Sequence, residues 1–240
     1  MDLGLTGRVA LVTGGSRGIG RATALALAAE GASVMIAARG EAKLAETAAE
    51  IAALDVPVET VSVDLSQPEG GAKAVAAALA AFGRLDVLVA NAGGSVGARA
   101  MTEGEDADWA ATYALNVGHS IAALRSAVPH LETSDAASAI FVASISGRAA
   151  ATRGAQYAAA KAALIQAARS LAWELGPQRI RVNTVSPGSI LFPGGGWERT
   201  RAERPEDFSF FERHDFPWQR LGTDTEVADV IAFLASPRAQ

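Results

Sequence analysis

Tyr157 and Lys161 stand four residues apart in an alanine-rich stretch, so a helix would present both on one face. A free tyrosine titrates near about 10 and is a poor acid or base at neutral pH. An ammonium group beside it stabilises the phenolate and brings that value down. The pair could then pass a proton to or from a carbonyl or alcohol oxygen. Taken alone, Tyr-x-x-x-Lys is a common pattern, and a solvated surface pair is the plainer explanation. Its neighbours change the balance. Ser144 closes an apolar run thirteen residues earlier. Asn116-Val117-Gly118 lies in a long amphipathic stretch, Asn91-Ala92-Gly93 and Asp64-Leu65 follow two apolar runs, and Pro187-Gly188 follows another.

A second cluster is suited to phosphate. Thr13-Gly14-Gly15-Ser16-Arg17-Gly18-Ile19-Gly20 joins a short apolar run to an amphipathic segment. Glycines such as Gly14, Gly18 and Gly20 permit a tight turn and close approach of a diphosphate. A following helix would offer free N–H groups and the positive end of its dipole. A turn that is glycine-rich only for packing is the alternative. In a dinucleotide fold, an acidic residue ending the second strand bonds the adenosine ribose, whereas a basic one meets a 2′-phosphate. Here Ala37-Ala38-Arg39 ends in a cation, and Arg17 adds another. Two guanidiniums suit a phosphate through forked, charge-assisted bonds, which points to NADP(H). Both could instead be solvated surface charges.

These residues need a scaffold, and the hydrophobic pattern supplies one. Apolar runs at Val9–Val12, Ser33–Ala38, Val58–Val63, Leu85–Ala90, Ala139–Ala143 and Ile180–Val185 read as buried strands. Helical segments are expected at 18–30 with Gly31 as a stop, at 41–53, at about 104–132 as one or two helices, at 155–175, and at Thr225–Ala235. Another helix is expected after Ser66 as its cap, with Pro68 and Glu69 in the first turn. Residues 189–222, rich in Gly, Pro and aromatics, read as irregular. Strand and helix alternate every 25–30 residues or so, the pattern of parallel strands with helical crossovers on both faces. The expected fold is one doubly wound α/β domain spanning 1–240, and the chemistry-bearing residues fall at the carboxyl edge of its sheet.

Composition limits the alternatives. The chain has 240 residues, 50% of them hydrophobic, which excludes disorder. It has no cysteine, hence no disulfide, thiol nucleophile or thiolate metal site. His119, His130 and His214 lack ligand spacing, so no metal is expected. A net charge of −5 gives no general pull toward nucleic acid or anionic membranes. With neither a signal-like N-terminus nor a spanning run, a cytoplasmic protein is the default expectation.

From about residue 6 to 236 the arrangement resembles the short-chain dehydrogenase/reductase family. The resemblance implies a Rossmann-like domain acting on a small-molecule carbonyl or alcohol. Tyr157 resembles the general acid/base, and Lys161 the residue that tunes it and holds the nicotinamide ribose. Ser144 resembles the donor to the substrate oxygen, and Asn116 the residue that holds a relay water behind the lysine. Gly14, Ser16, Arg17, Gly18, Ile19 and Gly20 would hold the diphosphate, Arg39 the 2′-phosphate, and Asp64 with Leu65 the adenine. Asn91, Ala92 and Gly93 would line the cofactor cleft, and Pro187, Gly188 and Ile190 its nicotinamide side. Family members assemble as tetramers or dimers on helices such as 155–175; burial of that alanine-rich face on its own sheet is the alternative.

Two departures from the family pattern stand out. Phe192 occupies the neighbourhood where a Thr usually anchors the carboxamide, leaving backbone groups or Ser189 for that task. The family's final strand, expected beyond Ala235, is missing from a chain that stops at Gln240.

Half of the aromatic residues lie at 192–218: Phe192, Trp197, Phe208, Phe210, Phe211, Phe216 and Trp218. The resemblance makes 189–222 a substrate lid, with Pro193-Gly194-Gly195-Gly196 as its hinge. Its rings suggest a bulky apolar substrate, or else they pack the lid onto the body. Arg148 and Arg153 could meet an acidic substrate group. The expected activity is NADPH-dependent interconversion of a ketone or aldehyde with an alcohol. The alternatives are reduction of a 3-oxoacyl carrier protein, and a non-catalytic NADP-binding sensor or scaffold.

Overall fold

The computed structural model describes residues 2–98, 100–150 and 154–240, so Arg153 lies outside the described residues. Its first half alternates as the pattern dictates: β1 (Val9–Thr13), α1 (Gly18–Ala29), β2 (Ser33–Ala38), α2 (Glu41–Ala52), β3 (Val58–Ser62), α3 (Gly70–Phe82) and β4 (Val87–Ala90). There follow α4 (Asp106–Tyr113), α5 (His119–Leu131), β5 (Ser138–Val142), α6 (Ala155–Leu175) and β6 (Arg181–Val185). The last elements are β7 (Ile190–Leu191), α7 (Gly196–Glu203), α8 (Pro205–Asp215), β8 (Gly222–Thr223) and α9 (Asp224–Ala235).

Six strands form one parallel sheet in the order β3-β2-β1-β4-β5-β6. β1, β4 and β5 are buried along their whole length, as strands covered on both faces must be. Alternation splits their side chains between two cores. Val9, Leu11, Leu88 and Phe141 meet Val75, Leu124 and Leu164 from α3, α5 and α6. Ala10, Val12, Val89 and Ile140 meet Leu27, Leu44 and Ile231 from α1, α2 and α9. Strand order runs outward in both directions from β1 and β4, so a crevice opens above their carboxyl ends. Among the described residues, no helix is long and apolar enough to cross a membrane.

The structure departs from the sequence expectations at three places. Ser66 does not cap α3: its N–H and hydroxyl both donate to Asp64 Oδ1, and Glu69 is the N-cap. The nearby carboxylate captures the serine and delays the helix by a turn. The 104–132 stretch is two helices joined by a π-helical turn at Ala114–Gly118, which carries Asn116. Such a widened turn is frequent at functional sites because it frees a backbone carbonyl. Residues 189–222 are not irregular throughout but contain α7, α8 and the two short strands β7 and β8, which pair with each other.

Candidate active site

The crevice is a cleft of about 660 Å³ that runs from the β1–α1 turn to the start of α6. Its walls include Gly14, Ser16, Arg17, Ile19, Gly20, Arg39, Asp64, Leu65, Asn91, Ala92, Gly93, Ser144, Tyr157, Lys161, Pro187, Gly188 and Ile190. Of the residues expected above to do the proton chemistry or to hold the dinucleotide, Gly18 and Asn116 do not line it directly.

The glycine loop is held open by its lack of side chains. A Cβ on Gly14 would lie 2.9 Å from Asn91 Nδ2, and one on Gly20 would run into the Gly14 carbonyl. Asn91 fixes the loop by donating from Nδ2 to the carbonyls of Thr13 (2.9 Å) and Gly14 (3.2 Å). The N-terminus of α1 has no side-chain cap and no acidic residue in its first turn, which leaves its N–H groups for an anion. Gly18, at positive φ, lies beneath the Phe192 ring, 2.7 Å from where its own Cβ would be. Arg17 and Arg39 are both exposed at the cleft wall, and Arg17 also donates to Gly194 O at 3.4 Å. The Asp64 carboxyl is held below its usual range, first by the Ser66 backbone N–H and then by the Ser66 hydroxyl. This set fits a dinucleotide: bare backbone, a free helix terminus, two cations, and an ionised carboxylate at the far end.

At the other end, α6 brings Tyr157 and Lys161 onto one face. Lys161 is 2% exposed, its Nζ donates to Val142 O at 2.7 Å, and burial lowers its pKa to about 8. Nζ lies 5.5 Å from the centre of the half-buried Tyr157 ring. Ser144, at the end of β5, accepts from Ser146 N at 3.1 Å, so its hydroxyl proton remains for a ligand oxygen. Asn116 is fully buried. Its Nδ2 donates to Gly94 O and Thr112 O, both at 2.7 Å, and its Oδ1 accepts from Gly94 N at 3.1 Å. Gly93 is wedged beside it: a Cβ there would lie 2.5 Å from Asn116 Oδ1 and 2.9 Å from Lys161 Nζ.

The aromatic segment behaves mainly as its own small core. Trp197 stacks on Phe211 with centroids 4.4 Å apart and meets Phe208 edge-on at 6.4 Å; Phe211 meets Phe216 at 5.3 Å. Of these rings, only Phe192 and Trp197 reach the cleft wall. The glycines expected as a hinge instead start a helix, with Gly195 the N-cap of α7 and Gly196 its first residue. Arg148 is exposed and donates to Ser186 Oγ at 3.2 Å. On α6, Ala160, Leu164 and Ala168 are buried in the chain's own core, while Trp173 on the other side is 88% exposed.

Sequence reasoning missed wall residues contributed by backbone position alone, among them Ala38, Val63, Leu115 and Val142. The carboxyl ends of adjacent strands in register would have found most of them. It weighed His119, three residues after Asn116, as a metal ligand and gave it no other role. The ring is 1% exposed, and burial lowers its pKa to about 4, with the charge on Lys161 adding to the effect.

The whole chain is similar to known proteins. It is 39% identical over 97% of its length to an uncharacterised oxidoreductase of Mycobacterium tuberculosis, of which it covers 87%. It is 36% identical over its full length to isoepoxydon dehydrogenase of Penicillium expansum, covering 92% of that protein. Its structure matches L-sorbose reductase of Gluconobacter frateurii, solved with NADPH and L-sorbose, at a TM-score of 0.93 and 33% identity, covering 100% of this chain and 93% of that one. The short chain dehydrogenase family model matches residues 8–200. With the parallel sheet, the glycine loop and the Tyr157–Lys161 face in one cleft, the chain belongs to the short-chain dehydrogenase/reductase family of oxidoreductases.

Proposed function

We propose that the chain is an NADPH-dependent reductase that interconverts a ketone or aldehyde with its alcohol, with Tyr157 as general acid/base. The observation that carries this reading is the buried Lys161 ammonium, fixed on Val142 O and facing the Tyr157 ring at the cleft wall. NADPH, when bound, supplies the hydride. Arg17 and Arg39 hold its 2′-phosphate, the α1 N-terminus its diphosphate, and Asp64 with Leu65 its adenine. Asn91, Ala92 and Gly93 on one side and Pro187, Gly188 and Ile190 on the other align the nicotinamide.

Ser144 and Tyr157 donate to the substrate oxygen as negative charge develops on it. Tyr157 gives up its proton, and the Lys161 ammonium stabilises the phenolate left behind. Because the Asn116 side chain is committed to Gly94 and Thr112, a relay water behind Lys161 is held by its main-chain oxygen, which Ser120 Oγ already shares at 3.0 Å. The 189–222 segment covers the substrate, with Phe192 and Trp197 as its contact edge. NADPH binding by the Gluconobacter reductase supports the cofactor choice.

The test is NADPH consumption over a panel of ketones, aldehydes and 3-oxoacyl thioesters, with NADH in parallel. Turnover of ordinary carbonyls at low NADPH supports the reading, and turnover of thioesters alone would make the chain a carrier-protein reductase. NADPH binding without turnover of any carbonyl or alcohol would overturn it in favour of a binding protein.

A further inference from the structure

We propose that His119 is a positioning residue for the cofactor cleft, acting through Thr13 on the backbone amides of Asn91 and Ala92. The assignment of those amides to a cofactor wall rests on the function proposed above; the hydrogen-bond chain itself does not.

His119 is the first residue of α5, directly after the π-helical turn. Its Nδ1 faces the carbonyl of Leu115, a residue of the cleft wall. A carbonyl only accepts, so Nδ1 must carry the proton. In a neutral ring, Nε2 is then an acceptor. Two hydroxyls face it, Thr13 Oγ1 at 3.3 Å and Ser120 Oγ at 3.4 Å. Ser120 has its proton on Asn116 O at 3.0 Å, which leaves Thr13 as the donor to Nε2.

Thr13 ends β1 and is fully buried. With its proton turned to His119, its lone pairs face the N–H groups of Asn91 (3.0 Å) and Ala92 (3.2 Å). Those two residues leave β4 for the cleft, and the Asn91 side chain in turn holds the glycine loop. One neutral imidazole therefore sets the rotamer of one hydroxyl, and that hydroxyl sets the spacing of β1 and β4 where the crevice opens. A leucine of similar bulk could fill the space but offers Thr13 no acceptor, which frees its proton to turn to Val89 O, 3.4 Å away.

The experiment compares His119→Leu, His119→Gln, Thr13→Val and the His119→Leu/Thr13→Val double variant on the full chain. NADPH dissociation constants come from fluorescence titration. Amide hydrogen exchange at Asn91 and Ala92 is read without cofactor, with Phe141 in β5 as internal control. His119→Leu is expected to raise the NADPH dissociation constant about tenfold and to speed exchange at Asn91 and Ala92 but not at Phe141. His119→Gln, whose amide oxygen can accept from Thr13, should recover most of both effects. Adding Thr13→Val to His119→Leu should cost no more than Thr13→Val alone, because the two act in series.

If His119→Leu does not fold, Thr13→Val must show the same local exchange pattern. Unchanged exchange at Asn91 and Ala92, or equal acceleration at Phe141, would overturn the proposal and leave His119 as filler. A wild-type chain that binds no NADPH would sink the cofactor assignment, while the exchange pattern would still decide the role of His119.

Discussion

Lys161 Nζ donates to the carbonyl of Val142 at 2.7 Å while lying 5.5 Å from the centre of the Tyr157 ring. The sheet, through β5, therefore sets where the cation stands, and α6 sets which phenol it faces. Orientation comes from packed elements rather than from loops, which keeps this charge fixed at the cleft wall.

Tyr157→Phe keeps the ring and removes the proton. Turnover should fall about 100- to 10,000-fold, the usual range for one positioned acid/base, with NADPH affinity changed by no more than about threefold. Steady-state rates beside a binding titration check this; near-wild-type turnover would remove Tyr157 from the chemistry.

Burial lowers the Lys161 pKa to about 8, against about 10.4 in an unfolded chain. Between those values the unfolded chain holds the proton and the folded one does not, so raising the pH through this window favours folding. Lys161→Met lacks this linkage. Relative to that variant, the wild type should gain stability from pH 8 to pH 10.4, up to about 3 kcal/mol. Urea melts of both proteins across the window measure the gain, and a flat difference would contradict the burial of a titrating lysine.

Arg39→Asp places a carboxylate where a 2′-phosphate would sit. The KM for NADPH should rise tenfold or more, on the order of 1.4 kcal/mol, while NADH becomes the better cofactor. Arg17→Ala should weaken NADPH less, because Arg17 also holds Gly194 O. Equal response of both cofactors to Arg39→Asp would show that this arginine is only a surface charge.

Gly20→Ala inserts a methyl group into the Gly14 carbonyl and the Asn91 amide. The glycine loop must move, and the expected cost is about 1–3 kcal/mol of stability with a clear loss of NADPH binding. Thermal denaturation together with the binding titration distinguishes loop displacement from general unfolding.

The six-stranded sheet was legible because β1, β2, β4 and β5 are continuous apolar runs and each βα turn carries small or polar residues. The Tyr157–Lys161 face followed from helical spacing alone. The cleft walls were legible by position, since open parallel sheets expose their carboxyl ends. From sequence the 189–222 segment reads as irregular because its glycines and Pro193 outweigh subtler signals. Yet Pro205 at the first position, Glu206 and Asp207 in the first turn, and Arg213 and His214 in the last are helix boundaries in plain view. Phe208 and Phe211, three apart, already described the face that packs on Trp197. The π-helical turn at Asn116 left no sequence mark, because the spacing of apolar residues does not separate one widened turn from a regular one. The misplaced cap at Ser66 has the same origin: Asp64 competes for its hydrogen bonds, and local preference alone does not rank the two.

Ile190–Leu191 pair in parallel with Gly222–Thr223, and Thr223 caps α9 through a reciprocal bond with Glu226. The chain thus leaves the body and re-enters it at one stapled point. The segment between is closed at that neck, with Arg17 on Gly194 O and the Phe192 ring over Gly18 as further ties to the body, and doubling its length adds only about 0.6 kcal/mol of closure entropy. About thirty residues, including α7 and α8, lie beyond that neck. Under the proposed function, replacing them would change which molecules reach the cleft while Tyr157 and Lys161, placed by α6 and β5, stay where they are.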